Sequence, residues 1–241
     1  MGDSVFGLDG TDIGAYAEYK TMREDRGLQL KPDGLSYLEA AFIPNGAMTA
    51  YTFLVKMGTI QRGQTVLIYG ASGSIGTAAV QIAKHYGAEV TAVCSGRNHD
   101  LVQSLGADKV IDYTKEDYRQ GGETYDIILD TVGKSPFQSC KQVLKSGGQY
   151  LAPQGGMREM VQMMRTSLLG NKKVKAGVSS EDKADLAVIK EMLEAGALKP
   201  VIDRCYPLEE IVEAHRYADT RRKRGNIAIQ VVPSGVDDRG I

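Results

Sequence analysis

The sequence predicts an α/β fold built on a doubly wound parallel sheet, and three observations predict it. The apolar run Val66-Leu67-Ile68-Tyr69 has the length and β-branched content of a strand buried on both faces. Gly70, Gly73 and Gly76 follow it directly, and the helical pattern TAAVQIAKHY follows them. Strand-like and helix-like runs then alternate as far as Val178, the pattern of βαβ units.

Strand, glycine turn and helix in that order form a phosphate-binding unit. The stretch Ala71-Ser72-Gly73-Ser74-Ile75-Gly76 lacks the first glycine of the usual G-x-G-x-x-G. Its context still gives it meaning, because glycines let the backbone approach a pyrophosphate at a helix N-terminus. Gly87 is placed to stop the helix. The bland alternative is a tight turn without a ligand. No Gly-Lys-Ser/Thr ends the loop, so a Walker loop is excluded. Tyr16 and Lys20 have the spacing of a Tyr-x-x-x-Lys pair but precede the glycine loop, and read as chance.

Before the loop, Asp3–Phe6 and Gly14–Tyr19 read as short strands joined by the turn LDGTD. Ser36 and Glu39 form a capping box for a helix to about Ile43, with a second helix over Ala47–Met57. After the loop, Glu89–Cys94 and Lys109–Tyr113 are the next strands, with a short helix Leu101–Leu105 between them. Tyr125–Asp130 is a fourth strand, Ser135–Lys145 an amphipathic helix ended by Gly147-Gly148, and Gln149–Ala152 a fifth strand. Met157–Leu169 is helical, and Met157, Met160, Met163 and Met164 read as core filler. Val174–Val178 is a sixth strand, followed by a helix with Leu186, Ile189, Met192 and Leu193 on one face. A short strand Pro200–Ile202, a helix Leu208–Tyr217, the basic run Arg221–Arg224 and a closing strand Asn226–Val232 complete the chain; the basic run reads as a mostly solvated loop.

Composition narrows the function classes. The 241 residues carry a net charge of −1, which argues against a general nucleic-acid or anionic-membrane binder. No apolar run approaches the ~20 residues a membrane span needs, and no signal peptide is evident. Cys94, Cys140 and Cys205 are widely spaced and odd in number, as expected of reduced, mostly buried thiols in a cytoplasmic protein.

The end of the second sheet strand speaks to the cofactor. An NAD-type site carries an acid about 20 residues beyond the glycines. The matching segment here is Cys94-Ser95-Gly96-Arg97-Asn98, with no Asp or Glu. A hydroxyl and an arginine suit a 2′-phosphate, so the sequence favours NADPH.

Several segments together carry a family resemblance: AMTAYTFL (47–54), GQTVLIYGASGSIGTAAVQIAKHYGAEVTAVCS (63–95), SLGADKVIDYTKEDY (104–118), YDIILDTVG (125–133), LKSGGQYL (144–151) and PLEEIVEAHRYADTRRKRGNIAIQVV (207–232). The chain resembles the medium-chain dehydrogenase/reductases, in their zinc-independent, quinone-reductase-like branch. The resemblance implies a Rossmann NADP-binding domain over 46–199. It implies a truncated remnant of a GroES-like catalytic domain from both chain ends, 1–45 and 200–241. It implies NADP(H)-dependent hydride transfer to a quinone or an α,β-unsaturated carbonyl, with a small-molecule substrate and no metal. The position that supplies a cysteine zinc ligand elsewhere in the superfamily is Asn45 here. Carried over residue by residue, Thr49 goes to the nicotinamide ribose, Ser72, Gly73, Ser74 and Ile75 to the pyrophosphate, with Ala71 and Gly76 beside them in the cofactor site, and Ser95, Arg97 and Tyr113 to the 2′-phosphate side. Thr131, Val132, Gly133, Ala152 and Pro153 go to the nicotinamide, and Arg221 to a basic position near the 2′-phosphate. No catalytic acid–base residue is assigned; His85, His99 and His215 have no nucleophile or ligand set beside them. The alternative reading is an NADPH-binding module with impaired catalysis, because most of the substrate-binding half is missing. The edge strand at Val174–Val178 implies a homodimer.

Overall fold

The computed structural model describes residues 2–10 and 14–232. The chain divides into two compact units, one of Met1–Met48 with Ser180–Ile241 and one of Thr49–Ser179.

The first unit opens with β1 (Val5–Gly7), which pairs antiparallel with β2 (Leu28–Leu30) in the register Val5↔Leu30. The expected partner, Gly14–Tyr19, forms no strand, and part of the expected turn (Thr11, Asp12) lies outside the described residues. A partner some 20 residues further on is a long-range choice that local pattern does not encode. Helix α1 (Tyr37–Tyr51) follows, and its capping box forms as read. The Glu39 carboxylate accepts from Ser36 N and Oγ at 2.9 and 2.8 Å, and Glu39 N donates to Ser36 Oγ at 3.2 Å. The two expected helices are one. Pro44 lies inside α1, and the chain winds on as a π-helix over Thr52–Met57. A proline removes one hydrogen bond but need not end a helix whose flanking turns are buried; Ile43, Ala47 and Met48 are.

The second unit is a six-stranded parallel sheet. Its strands are β3 (Thr65–Tyr69), β4 (Glu89–Cys94), β5 (Lys109–Asp112), β6 (Tyr125–Asp130), β7 (Leu144–Ala152) and β8 (Lys173–Ala176). The order β5-β4-β3-β6-β7-β8 is the dinucleotide-fold order 3-2-1-4-5-6. Val66, Leu67 and Ile68 of β3 and Ile127, Ile128 and Leu129 of β6 have no solvent exposure, which is why these central strands read as unbroken apolar runs. Helix α2 (Ser74–His85) buries Gly76 to Ala83 without interruption. Gly87 ends it as read, at φ +76°, with Gly87 N on Lys84 O and Ala88 N on Ala83 O. Between β4 and β5 stands α3 (His99–Ser104). At the amino edge Asp126 accepts from Thr65 N and Lys145 Nζ, both at 2.8 Å, and so ties β3, β6 and β7 together.

Two expectations fail in this unit. The helix read over Ser135–Lys145 is only α4 (Phe137–Cys140) with a 3-10 turn, and β7 already begins at Leu144. Gly147-Gly148 sits inside that strand rather than ending a helix; Gly147 takes φ +78° and donates to Asn171 O at 2.8 Å. Helix α5 (Met157–Leu169) is where it was read, but its methionines are not filler. Met157, Met160 and Met164 are 77%, 52% and 69% exposed, and only Met163 packs on the core. With Val161 and Leu168 they form an apolar stripe at helical spacing that the described residues leave uncovered.

The first unit resumes with α6 (Lys183–Glu194), capped by Asp182 Oδ1 on Ala184 N at 2.9 Å. Then β9 (Ile202–Pro207), α7 (Ile211–Asp219) and β10 (Asn226–Gln230) form a small βαβ unit with parallel strands. The short strand expected at 200–202 is displaced: β9 begins at Ile202, the last residue of that expectation, and runs to Pro207. Among the described residues no helix is long and apolar enough to cross a membrane.

Candidate cofactor site at the carboxyl edge of the sheet

Parallel register brings the strand ends together. Tyr69 of β3 lies beside Val93 of β4 and Asp130 of β6, Cys94 beside Asp112, and Leu129 beside Leu151. The loops after β3, β4, β5, β6 and β7 therefore leave from one edge. Connections from β3 run to β4 on one side and, later, to β6 on the other. The crevice at such a switch point is where open α/β sheets take ligands.

The glycine loop occupies that point. Gly70 and Ala71 both donate to Val93 O, at 3.0 and 3.1 Å, and Gly73 N closes a turn on Gly70 O at 3.1 Å. Gly70 has φ +81°, and a Cβ there would stand 2.1 Å from Val132 Cγ2. A Cβ at Gly76 would stand 2.2 Å from Gly70 O and 2.6 Å from Ala71 Cα, so this glycine is required by backbone packing. Gly73 is different: its added Cβ meets only Gly70 O, at 3.5 Å. The space before it is open, and a side chain there would fill the cradle that a pyrophosphate needs. Ser72, Gly73, Ser74 and Ile75 are all partly exposed at the start of α2, where first-turn N–H groups and the helix dipole favour an anion. The residues present fit a dinucleotide.

On one side of the loop stand Ser95 and Arg97, with Tyr113 just beyond β5, as expected. Two further residues organise this side. Asn98 is 4% exposed and donates its Nδ2 to Ser72 Oγ at 2.9 Å and to Ser95 Oγ at 3.2 Å. Asp112 comes from the neighbouring strand and lies against Gly96. Its carboxyl is held below the usual carboxylate range first by the Thr114 hydroxyl, at 2.7 Å, then by Thr114 N and Gly96 N. An acid therefore does stand near this loop, but its oxygens are engaged by protein donors. Neighbouring Lys115 is 4.0 Å away. A cavity of about 360 Å³ opens beside Tyr113, lined in part by Tyr69, Lys115, Tyr118, Arg119 and Lys134.

On the other side stands the loop after β6. Thr131 donates its backbone N–H to Tyr69 O at 3.1 Å and its hydroxyl to Tyr69 O at 2.9 Å. Asp130, 1% exposed, accepts from the backbone N–H of Val132 (3.1 Å), Gly133 (2.9 Å) and Ser135 (2.7 Å), and from Tyr150 OH at 3.3 Å. This one carboxylate shapes Thr131-Val132-Gly133, and Val132 and Gly133 are left exposed. Ala152 and Pro153 follow at the end of β7, Ala152 buried and Pro153 half-buried. Burial pushes the Tyr118 and Tyr150 hydroxyls up, the Cys94 thiol to about 11 and the Cys140 thiol to about 12. Both thiols are also buried, and a buried thiol held protonated is a poor nucleophile.

The sequence pointed to 16 residues, and 14 of them lie on the second unit's edge loops or strand ends or, for Ser74, Ile75 and Gly76, in the first turn of α2. Thr49, 7% exposed, opens that unit within α1. Arg221 belongs to the first unit, on the turn after α7, at φ +56°. Sequence reasoning missed Asn98, Asp112 and Asp130. An acid ending an otherwise apolar strand was the available signal for Asp130; Asn98 gave none. Among the described residues no group of three or more His, Cys, Asp or Glu is placed to hold a metal.

Comparison with known proteins follows the same lines. The family model for zinc-binding dehydrogenases matches residues 105–229. The chain is 34% identical to a 2-methylene-furan-3-one reductase of Solanum lycopersicum over 96% of its own length and 58% of that protein's. It is 31% identical to a chloroplastic NADPH-dependent alkenal/one oxidoreductase of Arabidopsis thaliana, over 92% of this chain and 54% of that one. The quinone oxidoreductase of Coxiella burnetii superposes with a TM-score of 0.77 at 27% identity, covering 86% of this chain and 64% of that one. The chain thus spans less than two thirds of the length of each of these relatives.

Proposed function

Because the chain belongs to the medium-chain dehydrogenase/reductase superfamily, in its quinone-reductase-like branch, we propose that it serves an NADP(H)-dependent reduction of a quinone or an α,β-unsaturated carbonyl. The observation that carries this reading is the carboxyl-edge site, where one open glycine loop stands between a Ser95–Arg97 turn and an Asp130-shaped loop. The nicotinamide, when bound, supplies the hydride. The chain's residues hold and orient. In the stretch Ser72 to Ile75, the serine hydroxyls and the N–H groups that open α2 are donors for the pyrophosphate, while Gly73, whose N–H closes the turn on Gly70 O, leaves the space for it. Ser95, Arg97 and Tyr113 receive the 2′-phosphate. Thr131 to Gly133, with Ala152 and Pro153, set the wall against which the nicotinamide lies. Asp130 is spoken for by four donors, so its role is to order this wall.

The competing reading is a cofactor-binding module without turnover. NADPH consumption with a panel of quinones and enones separates the two. Turnover above the protein-free control supports the reductase; intact NADPH binding with no turnover leaves the module.

A homodimer through β8 is part of the proposal. β8 is an edge strand of the six-stranded sheet, Val178 just beyond it is 86% exposed, and α5, which packs on β8 through its other face, leaves its apolar stripe uncovered. Val178→Lys leaves the isolated chain unstrained, since the side chain is in solvent, but would bury a charge in such a dimer. Sedimentation equilibrium should show a dimer for the parent and a weakened one for the variant. A monomeric parent at micromolar concentration contradicts it.

A further inference from the structure

We infer that Asn98 is a positioning residue that sets the preference for a 2′-phosphorylated nucleotide by fixing the direction of two serine hydroxyls. The inference rests on the cofactor reading above and deepens it. A serine hydroxyl has one O–H to donate and lone pairs to accept with. The Asn98 amide gives one N–H to Ser72 Oγ and the other to Ser95 Oγ, at 2.9 and 3.2 Å. Each oxygen is thereby an acceptor toward Asn98, and its own hydrogen must point elsewhere. On this inference each hydroxyl hydrogen is kept for a ligand, that of Ser72 at the glycine loop and that of Ser95 at the turn that carries Arg97.

The amide cannot serve equally well turned over. Asn98 is buried, and its Oδ1 has no hydrogen-bond partner. A flip would leave two buried donors without acceptors in place of one such acceptor, the costlier arrangement. Asn98 N also donates to Ser95 O at 2.8 Å, closing the short turn Gly96–Asn98. One buried side chain therefore joins the pyrophosphate loop to the 2′-phosphate loop.

The decisive variant is Asn98→Asp, which keeps the shape but presents only acceptors. Both serine hydroxyls then turn inward, and a negative charge stands behind Ser95. Titration calorimetry with NADPH and with NADH reads the outcome. Ser72 serves both nucleotides and Ser95 only the phosphorylated one, so the ratio of the two dissociation constants must move. The NADPH preference is expected to shrink by roughly 30-fold, the scale of one charge-assisted hydrogen bond. Should Asn98→Asp fail to fold by circular dichroism, the cycle of Asn98→Ala with Ser95→Ala decides. The loss of preference caused by Asn98→Ala should largely vanish when Ser95 is already alanine. A parent that prefers NADPH with an unchanged ratio in Asn98→Asp, or an undiminished effect in the cycle, overturns this inference alone. A parent that binds neither nucleotide overturns it together with the cofactor reading.

Discussion

Gly76→Ala is expected to cost the fold about 1–3 kcal/mol, the usual penalty of overpacking, and to remove nucleotide binding with it. The added methyl meets Gly70 O and Ala71 Cα at 2.2 and 2.6 Å, both backbone atoms that cannot swing aside. Relief requires moving the start of α2 away from β3, which opens the loop. Gly73→Ala is the control. Gly73 has ordinary dihedrals, φ −84° and ψ −178°, and its Cβ points into open space. Thermal unfolding should therefore leave Gly73→Ala near the parent and shift Gly76→Ala down, while calorimetry shows both losing NADPH. Gly76→Ala with the parent's midpoint would mean that the loop packing described here is wrong.

Asp130→Ala has the second large effect. The substitution leaves the N–H groups of Val132, Gly133 and buried Ser135 without their acceptor, and Tyr150 OH with them. Losing two such charge-assisted bonds alone costs about 3 kcal/mol or more. Asp130→Asn keeps the volume and one acceptor oxygen, so it should recover part of the stability. Whichever way the amide lies, its NH2 faces backbone N–H groups, either those of Val132 and Gly133 or that of Ser135, so the turn that carries Thr131–Gly133 stays disturbed. Chemical denaturation should rank parent, Asn and Ala in that order. Nucleotide affinity should fall in both variants, because the wall assigned to the nicotinamide is set by this carboxylate.

How much of this could be read from the chain depends on the range of the interaction. Strands buried on both faces write themselves as apolar runs, and β4 and β6 lie at the residues their pattern marks. The capping box at Ser36 and the glycine stop at Gly87 are local and came out as read. Pairing of β1 with β2 was not legible, since it is set by contact with a segment beyond the nearest turn. Gly147-Gly148 looked like a helix stop because glycine marks both stops and strand irregularities, and only register with β6 and β8 tells them apart. The methionines of α5 show the limit of periodicity. It predicts an apolar face but not what covers it. At the site, the glycine turn and the Ser95–Arg97 segment could be placed in the fold from the sequence because both are local to the chain. Asn98, Asp112 and Asp130 act across strands, through hydrogen bonds that only the fold brings together.

The central claim is that the carboxyl edge of this sheet is built for NADP(H). Calorimetric titration of the chain with NADPH and NADH, alongside Arg97→Ala, tests it most directly. The account predicts tighter binding of NADPH, and a loss of about 1.5–3 kcal/mol in Arg97→Ala, confined to NADPH, the scale of a hydrogen bond to a charged group. Equal affinity for the two nucleotides in the parent chain, or heat from neither, would contradict it.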